Sequence, residues 1–202
     1  MVKLTLGVGV NDADYVVKVS QELGIVDGKR KKKLLWVCPF YMRWRNMLQR
    51  CYSEDYHKKT PTYKGCSVCE EWKYFSKFKA WMETQDWQGK ELDKDLLFPK
   101  NKLYSPNTCV FVDRIVNSFL VERDASRGEF PIGVYWSKWH NKYMARCQNP
   151  FTGKYEYLGV FIDPEEAHQA WLKRKQELAQ NLASMQTDTR IALALINRYT
   201  DY

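Results

Sequence analysis

Ile132-Gly-Val-Tyr-Trp136, Lys142-Tyr-Met-Ala-Arg-Cys147 and Tyr155-Glu-Tyr-Leu-Gly-Val-Phe161, followed by Asp163-Pro-Glu-Glu166, form the stretch that decides the fold. The first three runs are rich in β-branched and aromatic residues. The second and third are separated by Asn149-Pro-Phe-Thr-Gly153, a turn sequence, so the spacing predicts a three-strand antiparallel meander. Asp163 then reads as a helix N-cap, with Pro164 at the first helical position and Glu165 and Glu166 at the positive end of the helix dipole. The helix so begun carries Ala167, Trp171, Leu178 and Leu182 on one side, which gives a three-stranded sheet packed on one helix over residues 130–183. A last helix within 184–202 has Ile191, Leu195, Ile196 and Tyr199 at helical spacing.

Upstream of this unit, 123–129 contains Asp, Ser and Gly without periodicity, and a domain boundary is expected there. Before it, 91–98 and 108–112 are strand candidates joined by the turn-rich 99–107, and a helix from 113 to about 122 completes a strand–loop–strand–helix (ββα) unit. Tyr41, Trp44, Met47, Leu48 and Cys51 recur at helical spacing with Arg43, Arg45, Asn46 and Arg50 between them, a helix with a basic face. A second helix starts at Glu70 and buries Trp72, Phe75, Phe78, Trp81 and Met82. Residues 53–65 read as a loop, 66–69 as a short strand, and 1–28 as an extended arm leading into Lys29-Arg-Lys-Lys-Lys33. Such a basic run is either a solvated surface or a phosphate contact. The fold class is therefore α+β, with an arm over 1–37, a ββα unit with flanking helices over 38–122, the sheet-and-helix unit over 130–183 and a C-terminal helix over 184–202.

Of the 202 residues, 45% are hydrophobic and 15% aromatic, enough to bury a core. The formal charge of +8 favours a polyanionic partner over a neutral metabolite. No run approaches the roughly 20 apolar residues of a membrane helix, and the N-terminus lacks the basic-then-apolar layout of a secretory signal. The expected location is the cytoplasm of the host cell, with neither a membrane nor a small-molecule substrate as partner. Six cysteines are too few for a disulfide scaffold and read as thiols or metal ligands.

The blocks Tyr41-Met-Arg-Trp-Arg-Asn-Met-Leu-Gln-Arg-Cys-Tyr52, Tyr63-Lys-Gly-Cys-Ser-Val-Cys-Glu-Glu-Trp72, Leu92-Asp-Lys-Asp-Leu96 and Tyr104-Ser-Pro-Asn-Thr-Cys-Val-Phe111 resemble phage-encoded HNH homing endonucleases over about 38–120. Gly133-Val-Tyr-Trp136, Tyr143-Met-Ala-Arg146, Tyr157-Leu-Gly-Val-Phe161 and Glu165-Glu-Ala167 resemble the ethylene-response-factor (APETALA-type) DNA-binding domain. The resemblance implies a bacteriophage protein that targets double-stranded DNA. It does not imply that the protein cuts.

An HNH nuclease uses a histidine on its hairpin to activate water beside a divalent ion on the scissile phosphate. Here the family's Asp-His pair falls on Asp93-Lys94, and a protonated lysine amine has no lone pair with which to take a proton. Of the family's asparagine positions, the central one is met by Asn101 in the joining loop, although a plain alignment puts Leu103 there, and the last is shared by Asn107 and Thr108. Three readings follow for this half. It is a nuclease with Asp93 and Asp95 as Mg²⁺ ligands, Lys94 steadying phosphate charge and Asn101 and Asn107 in the catalytic set; or it is a DNA-binding relic; or it is a module that binds a host protein, such as an enzyme or a defence system, through its basic surface. As a strand without these roles, Asp93, Lys94 and Asp95 would be a charged surface.

None of the three histidines, His57, His140 and His168, lies in the hairpin; His140 falls in a turn and His168 reads as a surface residue of the long helix. Cys51, His57, Cys66 and Cys69 could supply four ligands to a structural Zn²⁺, a reading that competes with plain core packing of the thiols. On the meander, where alternate side chains share a face, Trp136, Lys138, Trp139, Lys142, Arg146, Lys154 and Tyr157 are the candidates for DNA contact. Val134, Met144 or their neighbours are expected inside.

Overall fold

The computed structural model describes residues 4–26, 28–121 and 129–200. In chain order its elements are β1 (Lys18–Val26), β2 (Lys29–Val37), α1 (Pro39–Tyr52), α2 (Glu54–Lys59), β3 (Ser67–Val68), α3 (Phe75–Glu83), β4 (Glu91–Asp93), β5 (Leu103–Tyr104), β6 (Val110–Val112), α4 (Arg114–Leu120), β7 (Val134–Ser137), β8 (Lys142–Gln148), β9 (Tyr155–Phe161), α5 (Pro164–Ser184) and α6 (Thr189–Asn197). The fold is α+β, as expected. The chain divides into two compact units, one running to Gln88 and adding Phe98–Phe111, the other formed by Gly89–Leu97 and the chain from Val112 onward. The boundary expected at 123–129 lies almost wholly outside the described residues. No described helix is long and apolar enough to cross a membrane.

In the first unit, α1 opens on Pro39 and buries Trp44, Met47, Leu48 and Cys51 on one stripe. The Trp44 indole N–H donates to the Trp72 carbonyl at 2.7 Å, so a large aromatic is buried without leaving its polar atom unpaired. Trp72 packs in turn against Phe78 and Trp81 with ring centroids 5.1 and 4.5 Å apart. The helix expected from Glu70 is interrupted: a single 3-10 turn at Glu71–Lys73 precedes α3, and Tyr74 between them is extended. The cause is the N-terminal segment, because Val10 donates to the Lys73 carbonyl and accepts from the Phe75 N–H. The stretch expected as a loop after Ser53 holds α2, whose first turn is capped by the Ser53 hydroxyl and carries Glu54 and Asp55. No residue of α2 is buried, so it shows no apolar stripe. β3 pairs in parallel with β5. The expected arm is an antiparallel ribbon, β1 paired with β2, closed at its base by the Cys38 N–H on the Val17 carbonyl.

The second unit takes in β4, within Gly89–Leu97, and α4, which follows Val112. The expected strand over 91–98 stops at Asp93, because its carboxylate accepts from the backbone N–H groups of both Asp95 and Leu96 and folds the chain away. β7, β8 and β9 form the expected three-stranded antiparallel meander. α5 covers one face of it, capped by the Asp163 carboxylate on the Glu165 N–H. Gly133 makes this approach close: its φ is +83°, and a Cβ there would stand 2.1 Å from Trp171 Cδ1. Trp171, Phe119 and Tyr199 surround Lys175, whose ammonium lies 3.6 Å from the Phe119 ring centroid and donates to the Phe119 carbonyl. These contacts tie α4, α5 and the segment after α6 together. Residues 112–121, grouped by the sequence reading with the first two helices, accordingly fall in this unit.

Candidate nucleic-acid interface

The face of the meander turned away from α5 is built by register. Tyr135 stands opposite Met144, Arg146 opposite Tyr157 and Gln148 opposite Tyr155, so these residues share one face. A shift between Ala145 and Arg146 lets the strand curl there. The Arg146 guanidinium lies over two rings, 4.2 Å from the Tyr135 centroid and 5.2 Å from that of Tyr155. Stacking of this kind holds a cation in place without neutralising it. Tyr155 and Tyr157 are themselves well exposed, and the Tyr135 hydroxyl rests on the Met144 sulfur.

The three strands contain a single carboxylate, Glu156, and it points the other way. Its oxygens accept from Arg174 Nε at 2.6 Å and Nη2 at 3.1 Å on α5, and from Asn149 Nδ2 at 2.7 Å. The Arg174 hydrogen bonds, with that of Asn149, hold its pKa below the usual carboxylate range. The outer face is therefore basic and aromatic with no acid on its strands.

Of the residues expected to contact DNA, Lys142, Arg146 and Tyr157 lie on this face. Lys138 and Trp139 occupy the turn after β7, where Trp139 is 93% exposed. That turn is held by Ser137 Oγ, which accepts from the His140 N–H and lies 2.9 Å from its Nδ1, and Asn141 takes a positive φ of 48°. Lys154 is exposed in the next turn, where Asn149 Oδ1 accepts from the Phe151 and Thr152 N–H groups. Trp136 belongs to the opposite row. It faces Tyr143, ring centroids 5.0 Å apart, and Tyr143 packs on Phe130. Met144, expected inside, is half-buried on the outer row, and its neighbour Ala145 takes the buried place. Tyr135 and Tyr155, which clamp Arg146, were not among the expected contacts, though Tyr155 lies two residues from Tyr157 and so on the same face.

The hairpin candidates are split between the units: Asp93, Lys94 and Asp95 belong to the second, Asn101 and Asn107 to the first. Asn101 is engaged locally, donating to the Leu103 carbonyl and accepting from its N–H. Asn107 is exposed in the turn that Ser105 and Thr108 close. Lys94 is not on a charged surface. It is buried in step with Leu92 and Leu96, at only 5% exposure, and its ammonium lies 2.6 Å from Asp95 Oδ1. Oδ1 of both Asp93 and Asp95 is thus committed to protein donors, and an Mg²⁺ here would draw on the second oxygens. Among the described residues no three His, Cys, Asp or Glu side chains are grouped to hold a metal ion.

Burial pushes the Asp93 carboxyl above the usual range, against the two N–H groups it accepts from. A raised folded pKa means that this group's contribution is fully present below its unfolded value, about 4, and lost as pH rises through the folded one. Asp93→Asn keeps an acceptor and is expected to flatten that segment of the stability–pH curve. Asp93→Ala leaves two N–H groups unmet and is expected to cost about 1–2 kcal/mol in denaturant titration.

The cysteines are free thiols. Cys51 and Cys66 are buried and Cys69 partly so, while His57, through Nε2–H, donates to the Arg50 carbonyl at 2.8 Å. His168 is buried rather than at the surface: its Nδ1–H donates to the Ile132 carbonyl at 2.9 Å, and its ring stacks on Trp171. It anchors the entry to β7 and is a packing residue. Compared with known proteins, the chain matches no protein-family model, no curated protein and no solved structure.

Proposed function

We propose that this is a sequence-reading, double-stranded DNA-binding protein of bacteriophage type, with the outer face of β7–β9 laid in the major groove. The observation that carries the reading is Arg146, exposed and clamped between Tyr135 and Tyr155 on a face whose strands bear no acid. A narrow antiparallel sheet can enter the major groove, where an arginine donates two hydrogen bonds to guanine. Lys138, Lys142 and Lys154 at the rim would meet phosphates, and Trp139 would lie against sugar or a thymine methyl. In this reading the HNH-like hairpin is a relic: Lys94 replaces the water-activating histidine and is spent on Asp95.

The test is a gel-shift series beside incubation with supercoiled plasmid and Mg²⁺ or Mn²⁺. A shift without nicking is expected. Nicking that Asp93→Asn abolishes would instead make the hairpin a metal-dependent nuclease. Neither shift nor nicking at low salt would replace DNA by an acidic host protein as the partner.

A further inference from the structure

β1 and β2 are nine residues each, so at about 3.3 Å per residue the ribbon is roughly 30 Å long. A two-stranded ribbon with both faces in water is marginal on its own, yet Leu23, Ile25, Leu34, Leu35 and Trp36 on it are all exposed. Such a ribbon is suited to being covered by a partner, and its charge says which kind. Alternation places Lys29, Lys31 and Lys33 on one face, and the residues paired across from them are Val26, Gly24 and Gln21, none of them acidic. Arg30 and Lys32 lie on the other face, where Lys32 meets Glu22 at 2.9 Å. Three cations on one edge, about 6.6 Å apart by strand geometry, repeat on a scale comparable with neighbouring phosphates along one nucleic-acid strand.

We propose that the β1–β2 ribbon is a second DNA arm, which lays its Lys29–Lys31–Lys33 face along the phosphate backbone of a duplex. It shares the partner class proposed for the meander but uses a separate surface, and it supplies affinity without sequence preference.

The experiment measures the affinity of the full chain for a random-sequence duplex as a function of salt. Each lysine paired with a phosphate adds about 0.9 to the slope of log affinity against log salt, so the triple variant Lys29→Gln/Lys31→Gln/Lys33→Gln is expected to lower it by about 2.7. Base preference on a selected duplex should be kept. Lys32→Gln, on the face shared with Glu22, is expected to change the slope less than any one of the three; the reverse order would overturn the face assignment. All four side chains are exposed, so the variants are expected to fold, and a thermal scan checks this. An unchanged slope in the folded triple variant overturns the arm. If that variant loses slope while Arg146→Ala changes nothing, the arm stands and the meander reading falls; the opposite pattern removes the arm alone. A parent chain that binds no duplex at low salt overturns both.

Discussion

Gly133→Ala is expected to destabilise the second unit by about 2–5 kcal/mol. Two costs add. A left-handed backbone at φ +83° costs an L-residue about 1–2 kcal/mol. The new Cβ would also stand 2.1 and 2.2 Å from Cδ1 and Cγ of Trp171, a side chain that cannot swing aside because it is held between stacked His168 and the edge of Tyr199. Overpacking of that kind costs about 1–3 kcal/mol. Gly153→Ala separates the two terms: its φ is similarly positive at 69°, but nothing lies within 4 Å of the added methyl. Chemical denaturation followed by tryptophan fluorescence should show a loss of about 1 kcal/mol at Gly153 and a clearly larger one at Gly133. Equal losses would mean that the helix does not press on the sheet at this point.

The parts of the fold legible in the sequence are those where one local signal suffices. The meander is marked by turn residues at both ends of each strand, and α5 by Asp163-Pro164 and two acids, so both stand where expected. Elements set by a distant partner were not legible. Nothing near Glu70 announces that Val10 will take hydrogen bonds on either side of Tyr74 and split the helix. The ribbon shows only weak alternation because two register shifts, after Val19 and after Glu22, break its period. Ser53 with Glu54 and Asp55 carries a helix-start signal, but a helix with no buried residue lacks the apolar periodicity that marks a helix in a sequence.

The site divides in the same way. Lys142 and Arg146 follow from alternation within β8. Trp136 is exposed, as expected, but stands on the row opposite Arg146, since one step along a strand carries a side chain through the sheet, and the bulge at Ala145/Arg146 hides that Tyr155 reaches Arg146. Burial of Lys94 and His168 could not be read from their type, because a buried polar side chain needs partners, among them Asp95 for Lys94 and the Ile132 carbonyl for His168, that the sequence does not announce.

Arg146→Ala is expected to weaken binding to the preferred duplex by about 1–3 kcal/mol, roughly fivefold to 150-fold, and to relax preference at one base pair. The clamp gives the prediction its detail. With Tyr135 and Tyr155 on either side, the guanidinium is fixed before DNA arrives, so little side-chain entropy is lost on binding. Tyr135→Ala and Tyr155→Ala are therefore expected to lose part of the base preference while leaving the salt slope unchanged. Arg146→Lys keeps the charge but neither the planar stack nor the paired donors, and is expected to retain the slope and lose the preference. Lys154→Ala should do the reverse, weakening all sequences alike and lowering the slope by about 0.9. Competition binding against single-base variants of a selected site, at several salt concentrations, reads both quantities. Were Arg146→Ala and Lys154→Ala both to leave affinity and slope unchanged, the meander would not be the DNA surface. With the ribbon left to hold phosphates, the base-reading role would then pass to the basic residues of α1, Arg45 first, because it is exposed whereas Arg50 is partly buried and turned over the Tyr63 ring.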